Sequence, residues 1–228
     1  MKKIGFKTAI AIILTLALLT PILGVNSVVF AGAVEEDSQI GLVPVIFDGE
    51  YYTASEFEKI GSKLKIAVVT PSKDGTVLYA FSTLEKFAHH FDPNGTLVFI
   101  GQEDTPLKQP IGIRSEDVGY GYNWEDINKG GSCLVVQEDY NRPDLSVYNP
   151  SWSNRISSCR LPYDSGKPAN YFMFLSYLPN SVSSDLFAVP NGYYVPTLVP
   201  YTFYYSGSWH SWNDAACGIY WGVIKPNP

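Results

Sequence analysis

The sequence after Ser132 restricts the fold more than any other feature, because it contains short β-type runs and no segment with a helical period. The runs are CLVVQ, DLSVY, SSCRLP, YFMFLSYL, DLFAV, YYVPTLVPYTFYY and CGIYWGVI. Pro, Asn, Gly and Ser, which favour turns, separate them. Short strands with regular turn signals are typical of β-sandwiches and Greek-key units. We therefore predict an all-β Greek-key domain over residues 132–226.

Residues 34–101 show a different pattern, in which two helical segments alternate with strand-type runs. A Ser or Thr precedes each helical segment, and a Glu lies three residues after that Ser or Thr. This is the spacing of a capping box. The second segment also has one apolar face. This pattern predicts a small α+β unit ahead of the all-β domain. The capping pairs are Thr53 with Glu56 and Ser82 with Glu85, and the apolar face comprises Leu84, Phe87, Ala88 and Phe91.

Residues 102–131 have no helical or strand period and are rich in Pro, Gly and charged residues. Such a composition indicates a linker or a long covering loop. We therefore place the boundary between the two predicted units in this segment.

The first 33 residues have the composition of a secretory signal peptide. A basic start with three lysines precedes an apolar stretch, and Ala31 and Ala33 fit the small-x-small rule for cleavage. The apolar stretch is shorter than the ~20 residues that a membrane-spanning helix needs, and no later segment is long enough. The sequence predicts cleavage after Ala33 and a secreted, extracellular protein with no membrane span.

The charge balance excludes two classes of partner. Without the predicted signal peptide the chain has 13 basic and 22 acidic residues, a formal net charge of −9. Nucleic acids and anionic membranes bind clustered Lys and Arg, so neither is expected as a partner. The acidic balance is compatible with a divalent cation.

Two tryptophan-led polar segments lie about 60 residues apart in the predicted β domain. They are SWSNRISSC, which contains Trp152, and HSWNDAACG, which contains Trp212. Each tryptophan opens a polar stretch of six residues. Two related motifs in one all-β segment suggest a duplicated Greek-key unit in which both tryptophans anchor the core.

The two segments, with GSCLVVQEDYNRPDLSV upstream, resemble the βγ-crystallin superfamily, including its exported bacterial branch of metalloproteinase inhibitors and killer toxins. In that family a tryptophan precedes Asn/Asp, Asn/Asp, two variable residues, Ser/Thr and Ser. SNRISS matches this pattern at every place but the first, and NDAACG matches at its first two constrained places. The upstream hairpin starts with Cys133 and carries Tyr140, but Asn141 stands where the family has Gly. The resemblance covers residues 132–224 and implies a βγ-crystallin-like domain.

The resemblance also implies a calcium site between the two motifs. Its ligands would be the Arg155 carbonyl, the Ser157 hydroxyl and a side-chain oxygen of Asn213 or Asp214. Calcium prefers hard oxygen ligands, and with one acidic side chain nearby we expect a weak site, with Kd of ~10⁻⁴ to 10⁻³ M.

A reciprocal site would use the Ala215 carbonyl, Cys217 and Asn154. The sulfur of Cys217 is a soft ligand and calcium is a hard cation, so we expect this second site to bind calcium poorly. A structural interpretation also stays open for both motifs. Asn, Asp and Ser are standard turn residues, and they bind their own backbone when no cation is present.

Three cysteines in an exported chain predict at least one disulfide. Cys133 and Cys159 flank one hairpin unit, and a bridge between them would close a loop of about 25 residues and stabilise the fold by roughly 3 kcal/mol. We favour this pair over Cys159 with Cys217.

The remaining candidates for chemistry are less specific. His89 and His90 lie at the end of a predicted helix, where they interact favourably with the negative C-terminal end of the helix dipole. His210 lies seven residues before Cys217, but no thiol-protease signature surrounds that cysteine. An aromatic run suggests either a β core or a carbohydrate-stacking platform. Its members are Tyr193, Tyr194, Tyr201, Phe203, Tyr204, Tyr205, Trp209 and Trp212.

These observations favour a secreted, non-enzymatic binding or structural protein that binds calcium weakly. The first alternative is a secreted inhibitor of a protease, such as a metalloproteinase, that offers the enzyme a disulfide-braced loop. A further alternative is an antibacterial contact toxin.

Overall fold

The computed structural model describes residues 43–103, 119–148, 150–182 and 185–226. They belong to one compact unit, Gln39–Pro228. The signal peptide predicted for residues 1–33 lies outside the described residues. Within the described residues, no helix has both the length and the apolar character needed to cross a bilayer.

Strands dominate these residues, with two α-helices and two short 3₁₀ turns. The helices are α1 (Ala54–Gly61) and α2 (Leu84–Phe91), and the 3₁₀ turns are Ile127–Lys129 and Leu145–Val147. The strands are β1 (Val45–Phe47), β2 (Glu50–Tyr52), β3 (Val68–Pro71), β4 (Leu78–Phe81), β5 (Gly95–Ile100), β6 (Gln102–Glu103), β7 (Tyr120–Trp124), β8 (Cys133–Gln137), β9 (Tyr140–Asn141), β10 (Ser158–Arg160), β11 (Tyr171–Ser176), β12 (Leu186–Pro190), β13 (Tyr194–Val195), β14 (Thr202–Tyr205), β15 (Ser208–Ser211) and β16 (Gly218–Pro226).

The strands form one large sheet and three smaller ones. The large sheet has the order β2-β1-β4-β3-β12-β11-β16-β5, and a four-stranded sheet has the order β13-β10-β7-β8. β14 pairs with β15, and β6 pairs with β9. The structure is thus mostly β, with Greek-key-like sheets, as the sequence predicts.

The large sheet is buried on both faces at its centre. In β11, Phe172 and Phe174 belong to one hydrophobic cluster, whereas Tyr171, Met173 and Leu175 belong to the other. Successive strand residues point to opposite faces, so the two clusters lie on opposite sides of the sheet. α2 covers the first face, and the four-stranded sheet contributes to the second cluster.

The predicted helices are present, and one of the two predicted caps is correct. Thr53 caps α1 in a complete capping box with Glu56. The predicted cap of α2, Ser82 with Glu85, is wrong, because Thr83 is the residue whose side chain accepts a hydrogen bond from the Lys86 N–H. Ser82 instead donates through its N–H and its hydroxyl to the carboxylate of Asp48.

The apolar face predicted for α2 is confirmed. Phe87 and Ala88 are fully buried, and Leu84 and Phe91 pack against the same cluster. The Phe87 ring lies 5.1 Å from Phe172, measured between ring centroids. This contact attaches the helix to β11, an interior strand of the large sheet.

The division of the chain into residues 34–101, 102–131 and 132–226 stays a prediction, but these segments do not form separate sheets. β3 pairs with β12 in parallel, and β5 pairs with β16 in antiparallel. Part of the predicted linker is also regular structure, since β7 lies between β8 and β10 in the four-stranded sheet. The alternating Tyr120–Trp124 run was too short and too rich in polar neighbours to indicate a strand.

The predicted disulfide between Cys133 and Cys159 is wrong, because all three cysteines are free thiols. Cys133 lies opposite Trp124 on one side of β7, and Cys159 lies opposite Asn123 on the other side. Two strand spacings amount to about 10 Å, which exceeds the ~7 Å between Cα atoms that a disulfide can bridge. The alternative bridge between Cys159 and Cys217 is not formed either.

Candidate metal site

The first corner, residues 152–158, is held at its tryptophan. Trp152 is buried, and its N–H donates to the Leu145 carbonyl oxygen at 3.0 Å. Asn154 has a left-handed backbone with φ of 57°, a conformation that Asn adopts more readily than most residues. Ile156 is fully buried, so the segment turns around an apolar side chain.

The second corner, residues 212–218, repeats this arrangement. Trp212 is fully buried, and its N–H donates to the Tyr201 carbonyl oxygen at 2.8 Å. Its ring packs against Phe187 and Phe203. Asp214, like Asn154, lies two residues after the tryptophan and is left-handed, with φ of 55°. Both predicted core anchors therefore occupy the core.

The two corners face each other through reciprocal backbone hydrogen bonds. The Asn154 N–H donates to the Ala216 carbonyl oxygen at 2.9 Å, and the Asp214 N–H donates to the Ile156 carbonyl oxygen at 2.9 Å. In each case the donor lies two residues, and the acceptor four residues, after its tryptophan. The corners are therefore related by local two-fold pseudosymmetry.

The side chains repeat the same symmetry. The Ser157 hydroxyl donates to Asp214 Oδ1 at 2.8 Å, and the Cys217 thiol donates to Asn154 Oδ1 with an Sγ–Oδ1 distance of 3.3 Å. The residue five places after one tryptophan thus contacts the residue two places after the other. The structure thus brings together both predicted pairs. Ser157 with Asp214 offers hard oxygen ligands and one negative charge, whereas Cys217 with Asn154 includes a soft sulfur and no charge.

The side chain of Asn213 contacts the carboxylate of the first pair. Its Nδ2 atom donates to Asp214 Oδ2 at 2.9 Å, which fixes the side chain next to the carboxylate. Its Oδ1 atom is buried and has no hydrogen-bond partner within the described residues. Such an acceptor is costly to bury unless a donor or a cation satisfies it.

Arg155, whose carbonyl was the other predicted ligand, directs its side chain elsewhere. The guanidinium lies 5.2 Å from the centre of the Trp152 ring, donates to the Ser151 carbonyl oxygen at 2.8 Å and forms an ion pair with Glu125. These contacts neutralise the positive charge. Sequence reasoning missed Glu125, because it lies in the segment predicted to be a linker.

The aromatic run predicted either as a core or as a carbohydrate platform is divided between buried, half-buried and exposed side chains. Tyr201, Phe203 and Trp212 are buried, and their rings cannot stack on a sugar. Tyr194 is among the exposed large side chains, with 38% of its surface accessible. The run therefore does not form one continuous aromatic surface.

Cys133 and His210 lie in different surroundings from the corners. Burial raises the pKa of the Cys133 thiol to about 11, so this thiol is protonated at neutral pH. The His210 Nε2 atom lies 2.9 Å from Ser208 Oγ within the β14–β15 pair. Within the described residues, no group of three or more His, Cys, Asp or Glu side chains is arranged to hold a metal. A cation at the corners would therefore depend on hydroxyl, amide and carbonyl oxygens as well as Asp214.

The chain was compared with protein families, curated proteins and solved structures. No family model matches, and no curated protein matches. Among solved structures, a βγ-crystallin domain from Clostridium beijerinckii is 16% identical, with a TM-score of 0.30 and coverage of 47% of this chain and 99% of that chain. A double mutant of that domain is 17% identical, with a TM-score of 0.30 and coverage of 47% and 98%. Over about 47% of its length, this chain is similar to these βγ-crystallin domains.

Proposed function

We propose that this is a secreted, non-enzymatic binding or structural protein whose two corners bind one calcium ion weakly. In this proposal the helices and strands of residues 34–101 form an α+β addition to the β domain. Export is supported by the basic start, the apolar stretch and the Ala31–Ala33 cleavage pattern.

One observation carries the calcium proposal: Ser157 Oγ and Asp214 Oδ1, from opposite corners, lie 2.8 Å apart. Both are hard oxygens of the kind that calcium binds. Asn213, whose Nδ2 atom contacts the Asp214 carboxylate, has a buried Oδ1 atom with no hydrogen-bond partner within the described residues, and this atom is a further candidate ligand. These residues fit the ligand type of a calcium site.

The expected ligands are the Ser157 hydroxyl, the Arg155 carbonyl and the side-chain oxygens of Asp214 and Asn213. Calcium takes six to eight oxygen ligands, so water would complete the shell. With one carboxylate in the set, Kd is expected at ~10⁻⁴ to 10⁻³ M. When bound, the ion would link the two corners and stabilise the fold.

The test is thermal unfolding with increasing calcium. At a calcium concentration ten times Kd, binding stabilises the folded state by about 1.4 kcal/mol, or roughly 3–6 °C for a chain of this size. Ser157→Ala is expected to abolish the rise, because it removes a ligand oxygen. Titration calorimetry with calcium and with magnesium would give the stoichiometry and the preference.

Ser153→Ala is the matched control. This serine lies in the neighbouring turn and donates to Cys217 Sγ at 3.2 Å, so its loss should leave the calcium response intact. An unchanged melting temperature of the wild-type protein at millimolar calcium would refute the proposal.

The inhibitor alternative included a disulfide-braced loop, and that bridge is not formed because the cysteines are free; inhibition itself stays a prediction. No observation on the described residues favours the toxin alternative over the binding module.

A further inference from the structure

A lysine and two carboxylates from distant parts of the chain meet at the turn between β8 and β9. Lys167, in the loop before β11, places Nζ 2.8 Å from Asp139 Oδ2 and 3.6 Å from Glu138 Oε2. Asp139 and Lys167 are 28 residues apart in the sequence. The three side chains therefore form a cluster, here called the Lys167 cluster, that sequence reasoning did not identify.

Glu138 is the unusual member of the Lys167 cluster. It is 6% exposed, and neither of its carboxylate oxygens has a hydrogen-bond partner within the described residues. Burying a carboxylate is costly, and the ion pair with Lys167 compensates only part of that cost at 3.6 Å. Burial raises the pKa of Glu138, the charge of Lys167 lowers it, and Asp164 and Asp139 raise it again; the net effect is a raised pKa.

Tyr171 completes the surroundings of the Asp139 carboxylate. Its hydroxyl donates to Asp139 Oδ1 at 3.0 Å, and Lys167 Nζ lies 4.7 Å from the centre of its ring. Tyr171 is buried and stacks on Trp221. One carboxylate oxygen of Asp139 is thus held by a phenol, and the other faces the amine.

We propose that Lys167 and Asp139 condense to an intramolecular amide, with Glu138 relaying the proton. The bond between Nζ and the Asp139 carboxyl carbon forms, and the bond between that carbon and Oδ2 breaks. Two protons of the ammonium leave with Oδ2 as one water molecule, so the reaction needs no oxidant or further reactant. Glu138 accepts the first proton from Nζ and passes it to the departing oxygen.

The arrangement contains each group that this condensation needs. Lysine amines are nucleophiles once they lose their proton, and a carboxylate with a raised pKa is a suited acceptor and donor of that proton. The fold holds the amine and the carboxylate in contact, so each group experiences the other at a high effective concentration. The Tyr171 hydroxyl remains on Oδ1, where negative charge develops during attack.

The protonation state of Lys167 sets the expected speed. Burial lowers its pKa, but the hydrogen bond and the charges of Asp139 and Glu138 outweigh burial, so the pKa is raised. The amine is therefore mostly charged, and each reaction must begin with transfer of a proton to Glu138. We expect slow formation over hours of incubation of the folded protein, faster at mildly alkaline pH.

A second lysine–aspartate contact in the same chain provides an internal control. Lys86 Nζ lies 2.6 Å from Asp48 Oδ2, closer than the contact in the Lys167 cluster. The side chain of Lys86 is 54% exposed, compared with 25% for Lys167, whereas the side chain of Asp48 is 16% exposed, compared with 44% for Asp139. The ion pairs found for the described residues place no second carboxylate beside Lys86. If contact alone were sufficient, both pairs would condense.

The experiment is intact-mass spectrometry of the purified, folded protein, followed by digestion and peptide mapping. The wild-type mass is expected to fall below the sequence mass by one water molecule, with the peptide containing Asp139 joined to the peptide containing Lys167. Lys167→Arg and Asp139→Ala are expected to keep the full mass. Glu138→Gln, which preserves shape but removes the relay, is expected to slow the loss at least tenfold. Lys86→Arg should lose water as the wild type does.

Two results would overturn the proposal. One is a full sequence mass after prolonged incubation at mildly acidic, neutral and mildly alkaline pH. The other is a water loss that maps within a single peptide, as a cyclised aspartate would produce. Neither readout depends on calcium or on the corners, so this test is independent of the proposed function.

Discussion

Ser157 and Cys217 occupy equivalent positions in the two corners, five residues after Trp152 and Trp212. Each donates to the side chain two places after the opposite tryptophan. The partners differ as well, because Asp214 carries a charge and Asn154 does not. The two half-sites therefore share one backbone and differ in their side-chain chemistry.

We expect the double substitution Cys217→Ser with Asn154→Asp to create a second calcium site. It copies the hard, charged pair onto the soft, neutral one, and the reciprocal backbone bonds already hold both positions. Titration calorimetry should give two ions per chain instead of one, with both Kd values at ~10⁻⁴ to 10⁻³ M. The conservative control Ser157→Thr keeps a hydroxyl and should leave the stoichiometry at one. An unchanged stoichiometry in the double variant would show that the side chains do not limit the second half-site.

At the residue scale, the facing corners were predicted because the resemblance of the two tryptophan-led segments to one family implies a shared site between them. It did not predict the Lys167 cluster, since no spacing relates Glu138 to Lys167 before the strands are paired. It also misplaced the disulfide, because the loop length between Cys133 and Cys159 carries no information about a strand inserted between them.

At the scale of elements, Asp48 attaches the turn after β1 to the start of α2. Oδ1 accepts from the Ser82 N–H at 2.9 Å, and Oδ2 accepts from the Ser82 hydroxyl and from Lys86 Nζ, each at 2.6 Å. Burial would raise the pKa of Asp48, but these hydrogen bonds, led by that from Lys86, outweigh it and lower the pKa below 3.8. The folded state therefore favours the ionised carboxylate.

The sign of the pH dependence follows from this lowered pKa. The stabilisation by Asp48 is present above its unfolded pKa and is lost as pH falls through the folded one, so the loss lies below about pH 4. Asp48→Asn is expected to reduce the free energy of unfolding by about 1 kcal/mol near neutral pH. Asn tolerates the left-handed φ of 49° at this position, so backbone strain does not confuse the comparison.

Urea unfolding of Asp48→Asn and wild type at several pH values measures this effect. The difference between the two proteins should shrink as the pH falls from about 4 to about 2. Glu58→Gln, which removes an exposed carboxylate from α1, serves as the charge control and should show no such convergence. A difference that stays constant down to the lowest pH would mean that the Asp48 charge does not stabilise the attachment.

At the scale of the whole molecule, the segments predicted to be separate units share one sheet. The sequence correctly indicated helices and strands, because caps and hydrophobic periods are local signals. The pairing of β3 with β12 and of β5 with β16 joins residues more than 100 positions apart. No local pattern encodes such pairing. β11 and most of β16 are buried at successive positions, as expected of strands that are covered on both faces.

Because the two segments share one sheet, we expect a cavity-forming substitution in the N-terminal segment to destabilise the C-terminal segment as well. Phe87 is fully buried on α2 and packs against Phe172 and Phe174 of β11. All five tryptophans lie at or after residue 124, so their fluorescence reports only on the C-terminal part. Phe87→Ala should lower the free energy of unfolding by about 3–5 kcal/mol through the cavity it leaves, and the tryptophan signal should show this loss in full. The control Glu85→Ala changes an exposed residue on the same helix and should leave the urea midpoint nearly unchanged.

If residues 34–101 instead folded as an independent unit, the tryptophan midpoint of Phe87→Ala would match the wild type, because the cavity would destabilise only a unit that contains no tryptophan.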